Sequence, residues 1–269
     1  MSRFEKRFKE LKAKKEGAFI PFLVLGDPNA ELSLEIAKTL VDSGADALEL
    51  GPCFSDPIAD GPSIQEADQR ALASGMNTDK SLALIKRIRA YNKEIPISLL
   101  IYYNLIFQRG VDKFYSDAKK AGIDAVLAAD CPVEEAKPLL KAARKHGIDQ
   151  VFIVSPTTTK KRLKKILKHC SGYVYVVSLL GVTGARATLQ NRAIHLIRRV
   201  RPYTKLPLCV GFGISRPKQV KQVINAGADG VIVGSAVINI IKENLHSEMK
   251  MLAALKKFSF SMKSATSAK

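Results

Sequence analysis

A three-residue punctuation mark recurs along this chain, at Gly44-Ala45-Asp46, Gly122-Ile123-Asp124, Gly147-Ile148-Asp149 and Gly227-Ala228-Asp229. Each copy follows a stretch with helical spacing of apolar residues and precedes a short apolar run. Glycine there can take the left-handed conformation that ends a helix, and the residues after it enter a strand. The copies lie 78, 25 and 80 residues apart. Those intervals approximate three, one and three lengths of a unit of about 26 residues, enough for a strand, a helix and two loops.

Strands read on that grid are Ala18–Leu25, Ala45–Leu50, Ile97–Tyr102, Ala125–Ala129, Gln150–Val154, Tyr173–Val177, Leu208–Val210 and Gly230–Val233. Most are unbroken runs of Val, Ile, Leu and Ala, as a parallel sheet buried on both faces requires. Helical spacing falls between them, as in Glu31–Val41, Val111–Lys120, Val133–Lys145, Lys160–His169, Gln190–Val200 and Pro217–Asn225. Eight successive βα units predict an α/β fold, a single (β/α)8 TIM barrel, over an open doubly wound sheet. A chain of 269 residues suits one such barrel, expected over 1–258. Phe4, Phe8 and Leu11 share one face of a short N-terminal helix expected to plug the barrel bottom. An extended loop, Gly51 to about Asp79, is inserted after the second strand. Residues 259–269, small and polar, are expected to be disordered.

Four cysteines and four histidines are scattered, with no CxxC pair. That argues against a metal site and a disulfide framework and suits a reducing cytoplasm. The longest apolar stretch, Ile95–Phe107, contains Pro96, Ser98 and Asn104 and is too short to span a bilayer. No membrane association is expected. The formal net charge is +18, much of it on the solvated face of the Lys160–His169 segment, where Leu163, Ile166 and Leu167 make the apolar stripe. No aromatic or Asn/Gln readers are interleaved with that charge, so no nucleic-acid partner is expected. Diffuse positive charge equally attracts phosphate ligands.

In this fold the chemistry lies where strands hand over to the following loops. Those positions include Asp27, Glu49, Tyr102, Asp130, Ser155, Ser178, Gly211 and Gly234. Neither lysine nor histidine is among them, which argues against Schiff-base and imidazole–metal chemistry and leaves carboxylates. Glu49 interrupts an apolar strand, where an ionised acid is costly to desolvate. Ala47, Glu49 and Gly51 share one strand face and Leu48 and Leu50 the other, which points Glu49 into the barrel mouth with a raised pKa. Asp60 closes the loop that follows. The structural alternatives are that Glu49 is an ion-pair partner and that Asp60 caps the helix starting near Pro62.

Gly181-Val182-Thr183-Gly184, Gly211-Phe212-Gly213 and Gly234-Ser235 follow the sixth, seventh and eighth strands. Exposed backbone N–H groups and a helix N-terminus at those places predict a phosphate site. Phe22, Leu100, Leu127, Ile153, Tyr175, Phe212 and Ile232 form a candidate apolar lining, with core packing as the alternative for each. The residues thus point to a phosphate ester with an apolar, planar part. Another phosphate-binding barrel, such as a sugar-phosphate isomerase, would share these features.

The chain resembles the tryptophan synthase α subunit family. The matching residues are Gly26-Asp27-Pro28, Glu49-Leu50-Gly51, Phe54-Ser55-Asp56-Pro57, Ala59-Asp60-Gly61-Pro62, Tyr102 with Asn104, and Ala129-Asp130 with Pro132-Val133-Glu134-Glu135. Gly181-Val182-Thr183-Gly184, Gly211-Phe212-Gly213-Ile214 and Gly234-Ser235-Ala236 complete the match. The resemblance implies a lyase of tryptophan biosynthesis that splits indole-3-glycerol phosphate into indole and glyceraldehyde 3-phosphate. It implies that Glu49 moves protons and Asp60 holds the indole N–H, with Tyr175 and Thr183 positioning Asp60. Substrate contacts are expected at Phe22, Leu100, Tyr102, Leu127, Ile153, Tyr175, Thr183, Gly184, Gly211, Phe212, Gly213, Ile232, Gly234 and Ser235. It also implies an α2β2 complex with a β subunit that carries pyridoxal phosphate, met at Asp56, Pro57, Asn104 and Pro132; this chain itself is expected to hold no cofactor and no metal. Two departures, Ser178-Leu179-Leu180-Gly181 without the family's arginine and Pro52-Cys53 before Phe54, motivate an alternative: a weakly active subunit acting mainly as an allosteric activator of a β partner.

Overall fold

The computed structural model describes residues 1–177, 186–211 and 213–267, the side chains of 186–191 excepted. Nine strands are β1 (Ala18–Leu25), β2 (Leu48–Pro52), β3 (Ile97–Ile101), β4 (Ala125–Ala128), β5 (Asp149–Gln150), β6 (Ile153–Val154), β7 (Val174–Val177), β8 (Leu208–Gly211) and β9 (Gly230–Val233). The helices among the described residues are α1 (Arg3–Ala13), α2 (Ala30–Asp42), α3 (Pro62–Ala73), α4 (Thr78–Tyr91), α5 (Tyr103–Arg109), α6 (Val111–Ala121), α7 (Lys137–His146), α8 (Lys160–His169), α9 (Arg186–Val200), α10 (Pro217–Asn225), α11 (Ser235–Glu243) and α12 (Glu248–Ser264). None is long and apolar enough to cross a membrane.

The sheet is parallel, in the order β5-β4-β3-β2-β1-β9-β8-β7-β6. Its two ends are pieces of one interrupted strand, expected as the continuous Gln150–Val154. The Val151 N–H reaches Val126 O at 3.0 Å on one side, and Phe152 O accepts from Tyr175 N at 3.1 Å on the other. The interrupted strand therefore closes a (β/α)8 barrel. It is split because its two halves pair with different neighbours, as the stagger of a closed barrel demands.

The glycines of the repeated tripeptide all have positive φ: Gly44 at 99°, Gly122 at 92°, Gly147 at 63° and Gly227 at 101°. Three of its aspartates accept the N–H at or next to the start of the preceding strand. Asp46 takes Phe19 N at 2.9 Å, Asp124 takes Ile97 N at 2.9 Å, and Asp229 takes Leu208 N at 2.8 Å. A cation answers each of these charges: Lys263 for the buried Asp46, Arg3 and Arg89 for the buried Asp124, and Arg201 for the half-buried Asp229. At the fourth copy Asp149 Oδ2 has no partner among the described residues, and its Cβ packs beneath Gly172.

Helix α1 buries Phe4, Phe8 and Leu11, and the Phe4 ring lies 5.2 Å from that of Tyr173 at the base of the barrel. The plug thus supports a residue that reaches Glu49. The disorder expected over 259–269 is corrected for 259–267, 268–269 lying outside the described residues: α12 runs to Ser264, and Ser259, Met262 and Thr266 are fully buried. Lys263 pairs with Glu16 and Asp46 at 2.9 Å each, and Gly17 N donates to Thr266 O at 2.9 Å. Small residues pack closely where this helix lies against α2 and α11 and its end meets the start of β1, so a composition typical of tails here marks a close contact.

Candidate active site

Glu49 is the second residue of β2 and has no solvent exposure. Its register partners are Phe22 on β1 and Ser98 on β3. The Tyr173 hydroxyl donates to Glu49 Oε1 at 3.1 Å; its oxygen also lies 2.9 Å from Ser98 Oγ, whose own proton can complete that contact. Among the described residues, Glu49 Oε2 has no partner and no cation pairs with Glu49. The ion-pair reading therefore fails, and one carboxyl oxygen is left free to meet a substrate. Burial pushes the carboxyl up to about 8; the Tyr173 hydrogen bond opposes this and the nearby Asp60 charge adds to it.

Asp60 sits on the loop between β2 and α3. The N-cap of α3 is Gly61, with no side-chain cap bond, so Asp60 is not a helix cap. Its Oδ2 accepts from the Tyr102 hydroxyl at 2.7 Å, and the same Tyr102 oxygen accepts from Ala59 N at 2.9 Å. Burial raises the Asp60 carboxyl above its ordinary value, against the pull of the Tyr102 bond. Tyr102, expected to touch substrate, thus fixes the second acid. Of the residues expected in that role, Thr183 lies outside the described residues, and Tyr175 stands in the barrel wall.

Phe22, Tyr102, Leu127, Tyr175, Gly211 and Ile232 are buried; Leu100, Ile153 and Gly234 are half-buried; Gly213 and Ser235 are exposed. Pairings Leu100–Leu127 and Ile153–Tyr175 put these neighbours side by side on adjacent strands. The Phe22 ring occupies the space above two glycines: a Cβ on Gly51 would lie 2.9 Å from it and one on Gly234 3.3 Å. Gly213 has φ of 76°, and Ser235 opens α11, which has no acid in its first turn to compete with an anion. Gly184 and Phe212 lie outside the described residues.

Two clefts flank this mouth. One of about 260 Å³ is lined by Phe54 to Ile58 with Gln65 and Gln69. The other, about 250 Å³, lies between the loops after β4 and β6 and includes Asp130, Ile153 and Arg162. Neither contains the two acids. Asp56, Asn104 and Pro132 are exposed and Pro57 half-buried; Asp56, Pro57 and Pro132 lie on the loops after β2 and β4, and Asn104 lies in α5 just after β3. Ile58, beside Pro57, and Phe107, in α5, are 84% and 61% exposed.

At Gly211 an added Cβ would stand 2.2 Å from the hydroxyl oxygen of Tyr175, a ring only 5% exposed. Gly211→Ala is expected to displace that ring and lower kcat/KM about 100-fold, the order of loss for a 1 Å misplacement in an active site. Steady-state indole release checks it; unchanged kinetics would show that the ring does not shape the pocket.

Tyr173 and Ser98 are not among the site residues expected from the sequence. Tyr173 was recoverable, because it shares the inward face of its strand with Tyr175. Ser98 carried no signal apart from its register with Glu49. Asp27 is a strand-end acid by sequence, but Arg70 of α3 engages it through both oxygens at 2.6 and 2.8 Å, so it is a structural anchor.

The family model for the tryptophan synthase alpha chain matches residues 8–267. The chain belongs to the tryptophan synthase alpha chain family. It is 54% identical over 248 residues to the alpha chain of Methanothermobacter thermautotrophicus, covering 92% of each. It is 49% identical over 267 residues to that of Vibrio cholerae, covering 99% of each. Among solved structures, the alpha subunit of Legionella pneumophila superposes with a TM-score of 0.90 at 38% identity, over 99% of this chain and 98% of that one. A chain of Mycobacterium tuberculosis tryptophan synthase in its aminoacrylate- and BRD0059-bound form gives 0.89 at 29% identity, over 100% and 99%. Membership makes the chain a lyase of tryptophan biosynthesis that cleaves indole-3-glycerol phosphate.

Proposed function

We propose that Glu49 and Asp60 divide the chemistry of this retro-aldol cleavage. The Glu49 carboxyl, through its free Oε2, gives its proton to indole C3, leaving a cation conjugated with the ring nitrogen. Asp60, held by Tyr102, accepts the indole N–H and stabilises that cation. The Glu49 carboxylate then takes the proton of the glycerol hydroxyl beside the scissile bond. The C–C bond breaks, its electron pair returns to the ring, and indole and glyceraldehyde 3-phosphate leave with Glu49 protonated again. Gly213, Gly234 and Ser235, with Gly184, would hold the phosphate through backbone N–H groups and the α11 N-terminus. Phe22, Leu100, Leu127, Ile153, Tyr175 and Ile232, with Phe212, would enclose the ring. The observation that carries this reading is the buried, unpaired Glu49 oxygen on an acid raised to about 8, a value suited to both giving and taking a proton near neutrality.

A pyridoxal-phosphate-bearing β subunit in an α2β2 complex in the cytoplasm would receive the indole, docking on Asp56, Pro57, Asn104 and Pro132. The exposed Ile58 and Phe107 supply apolar area at the same mouth. Indole release measured with and without such a subunit tests the assignment; no cleavage in either case would overturn it.

Because protonated Glu49 starts the reaction, kcat/KM should fall tenfold per unit as pH rises above about 8. On the acid side activity should fall as Asp60 is protonated, at a pH above the ordinary aspartate value. A rate profile from pH 5 to 10 checks both limbs, and a flat response between 7 and 10 would refute the Glu49 role.

A further inference from the structure

Asp68 projects from the inner face of α3 and is 5% exposed. Its Oδ1 accepts the Phe54 N–H at 3.2 Å, at the root of the loop that carries Asp60. The Phe54 ring stacks on Tyr102, with centroids 5.0 Å apart and planes at 26°. Tyr102 in turn donates to Asp60 and accepts from Ala59. A continuous path of contacts therefore leads from a rigid helix to the second acid. We propose that Asp68 is a positioning residue for Asp60, anchoring the Phe54 backbone so that the Phe54–Tyr102 stack fixes the hydroxyl that holds Asp60. This rests on the role given to Asp60 above.

Two features set Asp68 apart from a structural ion-pair partner. Arg70, two residues along the same helix, is committed to Asp27 through both oxygens, and no cation pairs with Asp68 among the described residues. Burial raises the Asp68 carboxyl to about 7, and the charges of Asp60 and Asp27 push the same way. An acceptor oxygen is what the Phe54 N–H needs, and it persists whether or not the carboxyl is ionised. An amide can therefore replace it.

The test compares Asp68→Ala, Asp68→Asn and Tyr102→Phe, with Asp68→Ser beside them, whose hydroxyl stops one bond short, in case the alanine variant fails to fold. Expected results are a loss in kcat of tenfold or more for Asp68→Ala or Asp68→Ser, and kcat within threefold of the parent for Asp68→Asn. The double variant Asp68→Ala/Tyr102→Phe should be no more than threefold slower than Tyr102→Phe alone, because both substitutions break one path. Hydrogen exchange at the Phe54 and Ala59 amides should quicken about tenfold in Asp68→Ala and not in Asp68→Asn. Parental kcat in folded Asp68→Ala, multiplying losses in the double variant, or unchanged exchange would each overturn the proposal. Exchange is read without turnover, so it isolates the anchor: if Asp60→Asn proves fully active while Asp68→Ala still loosens Ala59, the reading of Asp60 fails and the anchor stands.

Discussion

Glu49→Gln is expected to lower kcat about 1,000-fold while making the protein more stable. General acid–base catalysis by one positioned group contributes about 10²–10⁴-fold, and an amide can neither give nor take the proton. The stability gain follows from linkage. Glu49 titrates at about 8 in the folded chain against 4.5 for the free group. Between those values the unfolded chain releases the proton while the folded chain keeps it, so native stability falls as pH rises through the window. Each unit costs about 1.4 kcal/mol, roughly 3 kcal/mol by pH 7. Glutamine, always neutral, escapes that cost. The melting temperature of the variant should match the parent near pH 4.5 and exceed it increasingly up to pH 8. An equal gap at pH 5 and pH 8 would show that Glu49 is not held protonated by burial.

Asp60→Asn should reduce kcat about 100- to 1,000-fold, the usual loss when one preorganised electrostatic partner of a developing charge is removed. The cation at the indole nitrogen exists only after C3 is protonated, so the Asp60 charge favours the transition state over the bound substrate. KM should therefore move little. Asparagine keeps an oxygen for the Tyr102 hydroxyl, so the loop should keep its place and the loss should report charge. Single-turnover and steady-state rates decide the point: a raised KM with parental kcat would make Asp60 a uniform binding group.

Other parts of the protein were legible to different depths. The tripeptide repeat announced the barrel because each glycine must end a helix and each following residue must enter a strand, a constraint local to a few residues. It could not announce that three of its aspartates accept the N–H of a neighbouring strand, since those partners lie 21 to 27 residues away. Glu49 was conspicuous because a charge inside an apolar run is costly whatever surrounds it. Tyr173 was legible only through the strand face it shares with Tyr175, and Ser98 and Asp68 were silent, because Ser and Asp are unremarkable on a strand or an amphipathic helix until a partner is known. The terminal helix misled for a related reason: small residues read as a tail until α2, α11 and the start of β1 pack against them.

By itself, the sequence determined the alternation of strands and helices and the closure class, and it set Glu49 apart as a charge inside an apolar strand, all consequences of local conformational preference and desolvation cost. Only the tertiary structure decided what each acid touches. It brought Tyr173 beneath Glu49 and Tyr102 onto Asp60, across 124 and 42 residues of chain, and among the described residues it left one Glu49 oxygen bare. The physical reason is that a carboxyl's strength as an acid depends on the few ångströms around it, and those are filled by residues that only closing the barrel brings together.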